Sequence, residues 1–97
     1  MQIKVAGVFC YKDENQFNEF KELFTDSHIL PSNYSDWKSL TNKLIDKYKN
    51  TDTKIIEVYT DTNEFSVWCS STGNNVDASG RKAFANMKAI QHARTLS

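Results

Sequence analysis

The stretch YKDENQFNEF (Tyr11–Phe20) decides the fold, because a near copy of it, YTDTNEFSVW (Tyr59–Trp68), recurs 48 positions later. In each copy a tyrosine closes a run of strand-forming residues, and an aspartate follows at Asp13 or Asp61. Gln or Glu stands three positions after each aspartate, which is the spacing of a capping box at a helix N-terminus. The motif therefore predicts a strand that passes directly into a helix, once in each half of the chain.

Two segments of this chain have the pattern of β-strands. Residues 2–11 carry apolar side chains on both faces, and Lys54–Thr60 is rich in β-branched residues. A strand that is apolar on both faces is typical of a sheet covered on both sides. Because the two strands are joined through helices, we expect them to lie side by side and parallel.

Apolar side chains at helical spacing predict two helices after each strand. The predicted N-caps are Asp13, Ser32 or Asn33, Asp61, and Asp77 or Ser79. The predicted inward stripes of the second and fourth helices are Trp37, Leu40, Leu44, Ile45 and Tyr48, and Ala83, Phe84, Met87 and Ile90. Gly73 is a natural helix stop, whereas Gly80 is expected to weaken the last helix.

The fold class that follows is α/β, with the order β-α-α-β-α-α. We predict one domain over residues 1–97, with a small two-stranded parallel sheet covered by four helices and built from two similar halves. Two strands make a poor sheet by themselves. Either the helices complete the fold within one chain, or an edge strand pairs with a second copy and extends the sheet across a homodimer. The pattern leaves both open, as it does whether the halves arose by duplication.

The charges of the chain cancel overall but are unevenly distributed. Twelve Lys and Arg balance twelve Asp and Glu, which removes the simplest electrostatic argument for nucleic acid or an anionic membrane as partner. From Met1 to Trp37 six acids face three lysines, whereas from Asp77 onward four cations face one acid. We expect the two ends to attract each other, within one chain or between copies.

The carboxyl ends of parallel strands form the rim where ligands bind in open α/β sheets. This rim predicts candidate ligand contacts at Tyr11, Asp13, Tyr59 and Asp61. The competing interpretation is that each aspartate only accepts hydrogen bonds from its own helix N-terminus. Neither copy of the motif carries a Gly-rich phosphate loop or the glycine and glutamate of a calcium loop. We therefore predict no cofactor, no metal and no catalytic residues, and an enzyme acting at this rim is an alternative hypothesis.

The last predicted helix carries the residues that favour an anionic partner. Its basic-face candidates are Arg81, Lys82, Lys88 and Arg94. They spread around the helix instead of forming one stripe, which is typical of a solvated face. An acidic protein or a nucleic acid is an alternative partner, although no zinc finger, RNP aromatic pair or KH-type loop accompanies them.

The middle of the chain resembles a family of small bacterial proteins of unassigned function over roughly residues 20–90. The matching positions are Phe24 with Asp26, Leu30-Pro31, Tyr34 with Trp37, Asp61 with Phe65, Trp68-Cys69, and Arg81 with Phe84-Ala85. The resemblance implies a compact bacterial, intracellular domain and carries no activity.

The sequence therefore favours a small non-catalytic interaction or accessory protein. No apolar run is long enough to span a bilayer, and the apolar start is too brief for a signal peptide. Two cysteines do not form a disulfide framework, so a cytoplasmic location with reduced thiols is expected. The expected partner is another protein or a second copy. The alternatives are nucleic acid at the basic helix and enzymatic activity at the Asp13/Asp61 rim.

Overall fold

The computed structural model describes residues 4–96, and its order of elements confirms the predicted alternation of strands and helices. The elements are β1 (Lys4–Cys10), α1 (Glu14–Leu23), a short 3-10 turn (Ser27–Ile29), α2 (Tyr34–Lys47), β2 (Thr53–Tyr59), α3 (Thr62–Thr72) and α4 (Ala78–Leu96). The first two positions of the predicted first strand, residues 2 and 3, lie outside the described residues. Within the described range the chain is therefore a mixed α/β fold with two strands and four α-helices.

The two strands form a parallel sheet, as predicted. Their register runs without interruption from Lys4 opposite Thr53 to Cys10 opposite Tyr59. Alternation of side chains gives the sheet two faces. The core face carries Gly7, Phe9, Ile56 and Val58, and the outer face carries Ala6, Val8, Cys10, Ile55, Glu57 and Tyr59.

The core face is organised around the ring of Phe9. The rings of Phe20 and Phe24 lie with centroids 5.3 and 6.1 Å from it, and those of Phe65 and Phe84 lie 5.0 and 5.9 Å away. All four contacts are edge-to-face, the arrangement that the ring quadrupoles favour. Because these rings come from α1 and its C-cap, α3 and α4, the three helices share one aromatic core on this side of the sheet.

α4 approaches β1 so closely that only small residues fit between them. A Cβ atom on Gly7 would lie 2.1 Å from the carbonyl oxygen of Ala85, and Ala85 and Ala89 are buried. The predicted inward stripe of this helix is therefore wrong at Ile90, which is 50% exposed. The close contact between α4 and β1 leaves room only for alanine and glycine, whereas the predicted stripe contains large apolar side chains.

The outer face of the sheet is only partly covered, so the expectation of a sheet covered on both sides is not met there. Glu57 and Tyr59 are exposed, and Val8 and Ile55 are half-buried. α2 runs back alongside the sheet from the carboxyl ends of the strands, where the Tyr34 hydroxyl donates to the carbonyl oxygen of Lys12 at 3.4 Å.

The predicted inward stripe of α2 needs a second correction. Leu40 and Leu44 are 57% and 40% exposed, whereas Thr41 is buried. The face turned inward passes through Trp37, Thr41 and Ile45, positions four residues apart that share one side of a helix. The spacing of apolar residues favours Leu40 and Leu44, whereas the packing of α2 buries the polar Thr41 instead.

The structure also decides between the alternative helix caps. The N-cap of α2 is Asn33, whose side chain accepts a hydrogen bond from the N–H of Asp36 at 2.8 Å. At α4 the carboxylate of Asp77 accepts from the N–H of Gly80 at 3.2 Å. Gly73 ends α3 in the left-handed conformation with φ 74°, so the predicted stop is confirmed.

Candidate functional site

Both aspartates of the predicted rim are helix N-caps. The carboxylate of Asp13 accepts the N–H of Gln16 at 2.8 Å, and that of Asp61 accepts the N–H of Glu64 at 2.7 Å. These bonds satisfy helix donors that otherwise have no partner. One oxygen of each carboxylate is thus committed to the helix that it starts.

The residue three positions after each cap reaches back to the end of the preceding strand. The Gln16 carboxamide accepts from the N–H of Lys12 at 2.8 Å and donates to the carbonyl oxygen of Thr60 at 2.8 Å. In the second copy of the motif the Thr60 hydroxyl donates to the carboxylate of Glu64. Gln16 is buried, and its two hydrogen bonds tie together the backbone at the carboxyl ends of the two strands.

The two rim tyrosines lie in opposite environments. Tyr11 is 2% exposed, and its ring contacts that of Trp37 at 4.8 Å. Burial raises the pKa of its hydroxyl well above the ordinary value. Tyr59 is 51% exposed, and its hydroxyl donates to the carboxylate of Glu57 at 3.2 Å. The structure therefore does not bring the two tyrosines together on one surface.

Of the basic-face candidates, Arg81 is held by a partly buried ion pair. Its guanidinium donates to both carboxylate oxygens of Asp26 at 2.8 and 3.0 Å and stacks on the Phe24 ring at 4.4 Å. The side chains of Arg81 and Asp26 are 11% and 17% exposed. The Asp26 carboxylate also accepts the N–H of Ala78 at 2.8 Å. This pair links the acidic first part of the chain to its basic end within one molecule.

The other three basic-face candidates are spread along α4. Lys88 forms an ion pair with Glu64 at 3.5 Å, and its ammonium lies 5.6 Å from the centroid of the Phe84 ring. Lys82 and Arg94 are exposed. The four cations therefore differ in environment, since Arg81 and Lys88 have acidic partners on other elements and Lys82 and Arg94 are exposed.

The two cysteines are free, buried thiols. Burial, together with the charge of Glu57, raises the pKa of Cys10 to about 11. Burial and the charge of Asp77 raise the pKa of Cys69. Since the thiolate is the reactive form, both side chains are weak nucleophiles at neutral pH and serve as packing groups.

The outer edges of β1 and β2 differ in how their backbone groups are used. The N–H of Lys4 donates across the sheet to the carbonyl oxygen of Asp52 at 3.1 Å. Because successive backbone groups of a strand point to opposite sides, even-numbered residues of both strands face each other and odd-numbered residues face outward. On the β1 edge the N–H of Gly7 reaches the side-chain oxygen of Asn86 in α4 at 3.4 Å.

The β2 edge has no such cover. In the part of the chain that the structure describes, no group accepts a hydrogen bond from the N–H of Ile55 or of Glu57. The N–H of Thr53, at the start of the strand, is satisfied by the hydroxyl of Thr51 at 3.2 Å. We call this row of outward-facing groups, from Ile55 to Tyr59, the β2 edge. It is a ready template for one more strand.

A hollow of about 310 Å³ lies beside the start of the β2 edge. It is lined by Ile45, Asp46, Tyr48, Lys49, Thr53, Lys54 and Ile55. The hollow combines an apolar wall from α2 and β2 with charged groups of both signs. At the other end of the strand Tyr59 projects half-exposed, so β2 carries a depression at its start and a protruding ring at its end.

The comparisons with known proteins identify no family. No protein-family model, curated protein or solved structure matches the chain. Among residues 4–96 no helix is long and apolar enough to cross a bilayer. The described residues also contain no cluster of three or more His, Cys, Asp or Glu side chains that would hold a metal ion.

Proposed function

We propose that this chain is a small non-catalytic interaction protein that works as a homodimer joined through the β2 edge. The observation that carries the proposal is the unpaired backbone of Ile55 and Glu57 in a strand of seven residues. Each outward N–H and C=O gains a partner when another strand is added. The free edge therefore supports association as the chain's principal activity.

The size of the sheet supports the same proposal. Two strands form a marginal sheet, and three or more strands with a packed face are far more stable. Pairing the β2 edge of one copy with that of another produces a sheet of four strands. The β1 edge is a poorer template because α4 lies against it and Asn86 already occupies the N–H of Gly7.

We place this protein in the bacterial cytoplasm. Its resemblance to small bacterial proteins supports the source, and the free thiols of Cys10 and Cys69 support a reducing compartment. We also propose that the two strand–helix–helix halves are repeats of one structural unit. The matched caps at Asp13 and Asp61 support this, since both aspartates accept from the amide three positions on.

Light scattering coupled to size exclusion tests the proposal on the whole chain. The mass is expected to rise from 11.2 kDa towards twice that value as the protein concentration increases from about 1 to about 500 μM. Glu57→Pro removes one outward N–H and no backbone hydrogen bond within the monomer, because proline is tolerated where the N–H of an edge strand faces solvent. It also removes the carboxylate that accepts from the Tyr59 hydroxyl. This variant is expected to stay monomeric across the range.

Glu57→Thr is the matched control, because it removes the same side chain and keeps the N–H. It is expected to dimerise like the unchanged protein. A mass of 11.2 kDa for the unchanged protein at every concentration would contradict the proposal, and so would a Glu57→Pro dimer as stable as the original.

A further inference from the structure

We propose that two copies join β2 to β2 in antiparallel fashion about a two-fold axis at Ile56, and that each Tyr59 ring enters the hollow of the other copy. This inference rests on the proposed function and specifies the site by which a second copy is recognised. The site consists of the β2 edge, the Tyr59 ring and the hollow between α2 and the start of β2.

The symmetry of a homodimer fixes the direction of pairing. A two-fold axis relates the same surface on both copies, and two edge strands related in this way run antiparallel. Directly opposite residues of an antiparallel pair point to the same face and alternate between hydrogen-bonded and non-hydrogen-bonded pairs. Because the odd-numbered residues of β2 carry the outward backbone groups, odd residues must face odd residues across the axis.

An axis at Ile56 uses all the free groups in the middle of the edge. It places Ile55 opposite Glu57 of the second copy, where the two residues exchange both of their N–H and C=O groups. Symmetry repeats the exchange, so every outward group of Ile55 and Glu57 gains a partner. An axis at Glu57 would instead set two like charges opposite each other, which is destabilising.

The same axis brings the protruding ring to the depression. Thr53 and Tyr59 are each three residues from Ile56, so Thr53 lies opposite Tyr59 of the second copy and on the same face. Thr53 lines the hollow of about 310 Å³, which exceeds the volume of a phenol ring. Ile45 and Ile55 give that ring an apolar wall, and burying a half-exposed aromatic ring is the kind of contact that dominates interface energies.

Charge is also matched across this axis. Glu57 comes to lie beside Ile55 of the second copy, in the neighbourhood of Lys49, which lines the same hollow as Ile55. Asp46 and Lys54 also line the hollow, so its net charge is positive. A negatively charged edge residue thus meets a net positive surface.

A second copy fits this edge better than an unrelated strand does. Tyr59 lies three residues after Ile56, and Thr53, which lines the hollow, lies three residues before it. One two-fold axis at Ile56 therefore brings the Tyr59 ring of each copy to the hollow of the other. An unrelated strand would satisfy the backbone but needs neither feature. We therefore assign the β2 edge to self-recognition.

The experiment measures the dimer dissociation constant by sedimentation equilibrium for the unchanged chain and for two variants. Tyr59→Ser is expected to raise the constant by at least about tenfold, with the helical circular dichroism unchanged. Val67→Ser is the matched control, because Val67 is 60% exposed on α3, away from β2. It is expected to leave the constant unchanged within about twofold.

A second measurement tests the register directly. Ile55→Cys protein and Glu57→Cys protein are mixed, oxidised and compared with each variant alone. A disulfide that forms preferentially in the mixture supports the axis at Ile56. Preferential cross-linking of the Glu57→Cys variant with itself overturns it.

Different results would overturn the Tyr59 site and the homodimer. A dimer that Glu57→Pro abolishes and Tyr59→Ser leaves intact overturns the Tyr59 site alone. An unchanged chain that is monomeric at all concentrations overturns both.

Discussion

The two copies of the tyrosine–aspartate motif begin their helices in the same way and end in different places. Asp13 and Asp61 make the same cap bond, and the phenylalanines that follow them, Phe17 and Phe65, are both fully buried. The tyrosines that open the copies differ, since Tyr11 belongs to the core and Tyr59 projects from the sheet.

The reason for the difference is a shift of one residue between two spacings. The second copy of the motif begins 48 residues after the first, whereas residues that pair between the two strands are 49 residues apart, as Lys4 and Thr53 are. A shift of one residue turns a strand side chain to the opposite face. Tyr59 is therefore level with Cys10 and not with Tyr11. Local sequence sets where a helix starts, and strand register sets whether the preceding ring is buried.

The largest expected effect separates the two tyrosines. Tyr11→Ala removes a ring that contacts Phe17 at 5.1 Å and Trp37 at 4.8 Å, so we expect a loss of about 3–5 kcal/mol in the free energy of unfolding. Tyr59→Ala should cost the monomer under about 1 kcal/mol. Urea denaturation at low protein concentration measures both, and equal losses would contradict the assignment of the two rings to opposite faces.

The next largest effect concerns the segments that follow α1 and α3, the helices that the two copies of the motif begin. α3 stops at a left-handed glycine, whereas α1 leads to Asp26, which holds Arg81. Asp26→Asn leaves the guanidinium of Arg81 without its charged partner, and we expect a loss of about 3 kcal/mol at pH 7. Glu22→Gln, an exposed charge on α1, is the control and should change stability by less than about 0.5 kcal/mol.

The pH dependence of that loss has a definite sign. The hydrogen bonds from Arg81 hold the pKa of Asp26 below its ordinary value. The stability that the pair contributes is fully present above the unfolded-state pKa of about 3.9 and is lost as pH falls through the folded-state value. The difference between the original chain and Asp26→Asn should therefore shrink as unfolding is measured from pH 7 down to pH 2. A difference that stays constant would show that folding does not shift the pKa of Asp26 and would contradict the ion pair.

The smallest expected effect is the loss of a helix cap, which should be equal in the two copies of the motif. Asp13→Ala and Asp61→Ala each remove one cap bond, and each is expected to lower the free energy of unfolding by about 1 kcal/mol. Asp13→Asn and Asp61→Asn keep a capping oxygen and should restore most of that loss. Thermal unfolding measures all four variants. A loss several times larger at one aspartate would mean that it has a task beyond capping.

Element order, strand direction and the caps could be read from the sequence because each depends on neighbouring residues. The caps follow from the spacing of Asp61 and Glu64, for example. The inward faces of α2 and α4 were predicted less well, because Thr41 and Ala85 are buried by long-range contacts that periodicity does not report. The charged Glu57 between the apolar Ile56 and Val58 is a usable signal for an open face, whereas pairing of Asp26 with Arg81 depends on tertiary structure.

Amide hydrogen exchange followed by NMR shows at single residues whether the β2 edge is free in one chain and paired between two. We expect the amides of Ile55 and Glu57 to exchange slowly in concentrated protein and rapidly after dilution, as pairing of the β2 edge requires. The amides of Ile56 and Val58 face β1 and should be slow in both, which provides the control. Rapid exchange of Ile55 and Glu57 at every concentration, or protection that does not change on dilution, would contradict this pairing.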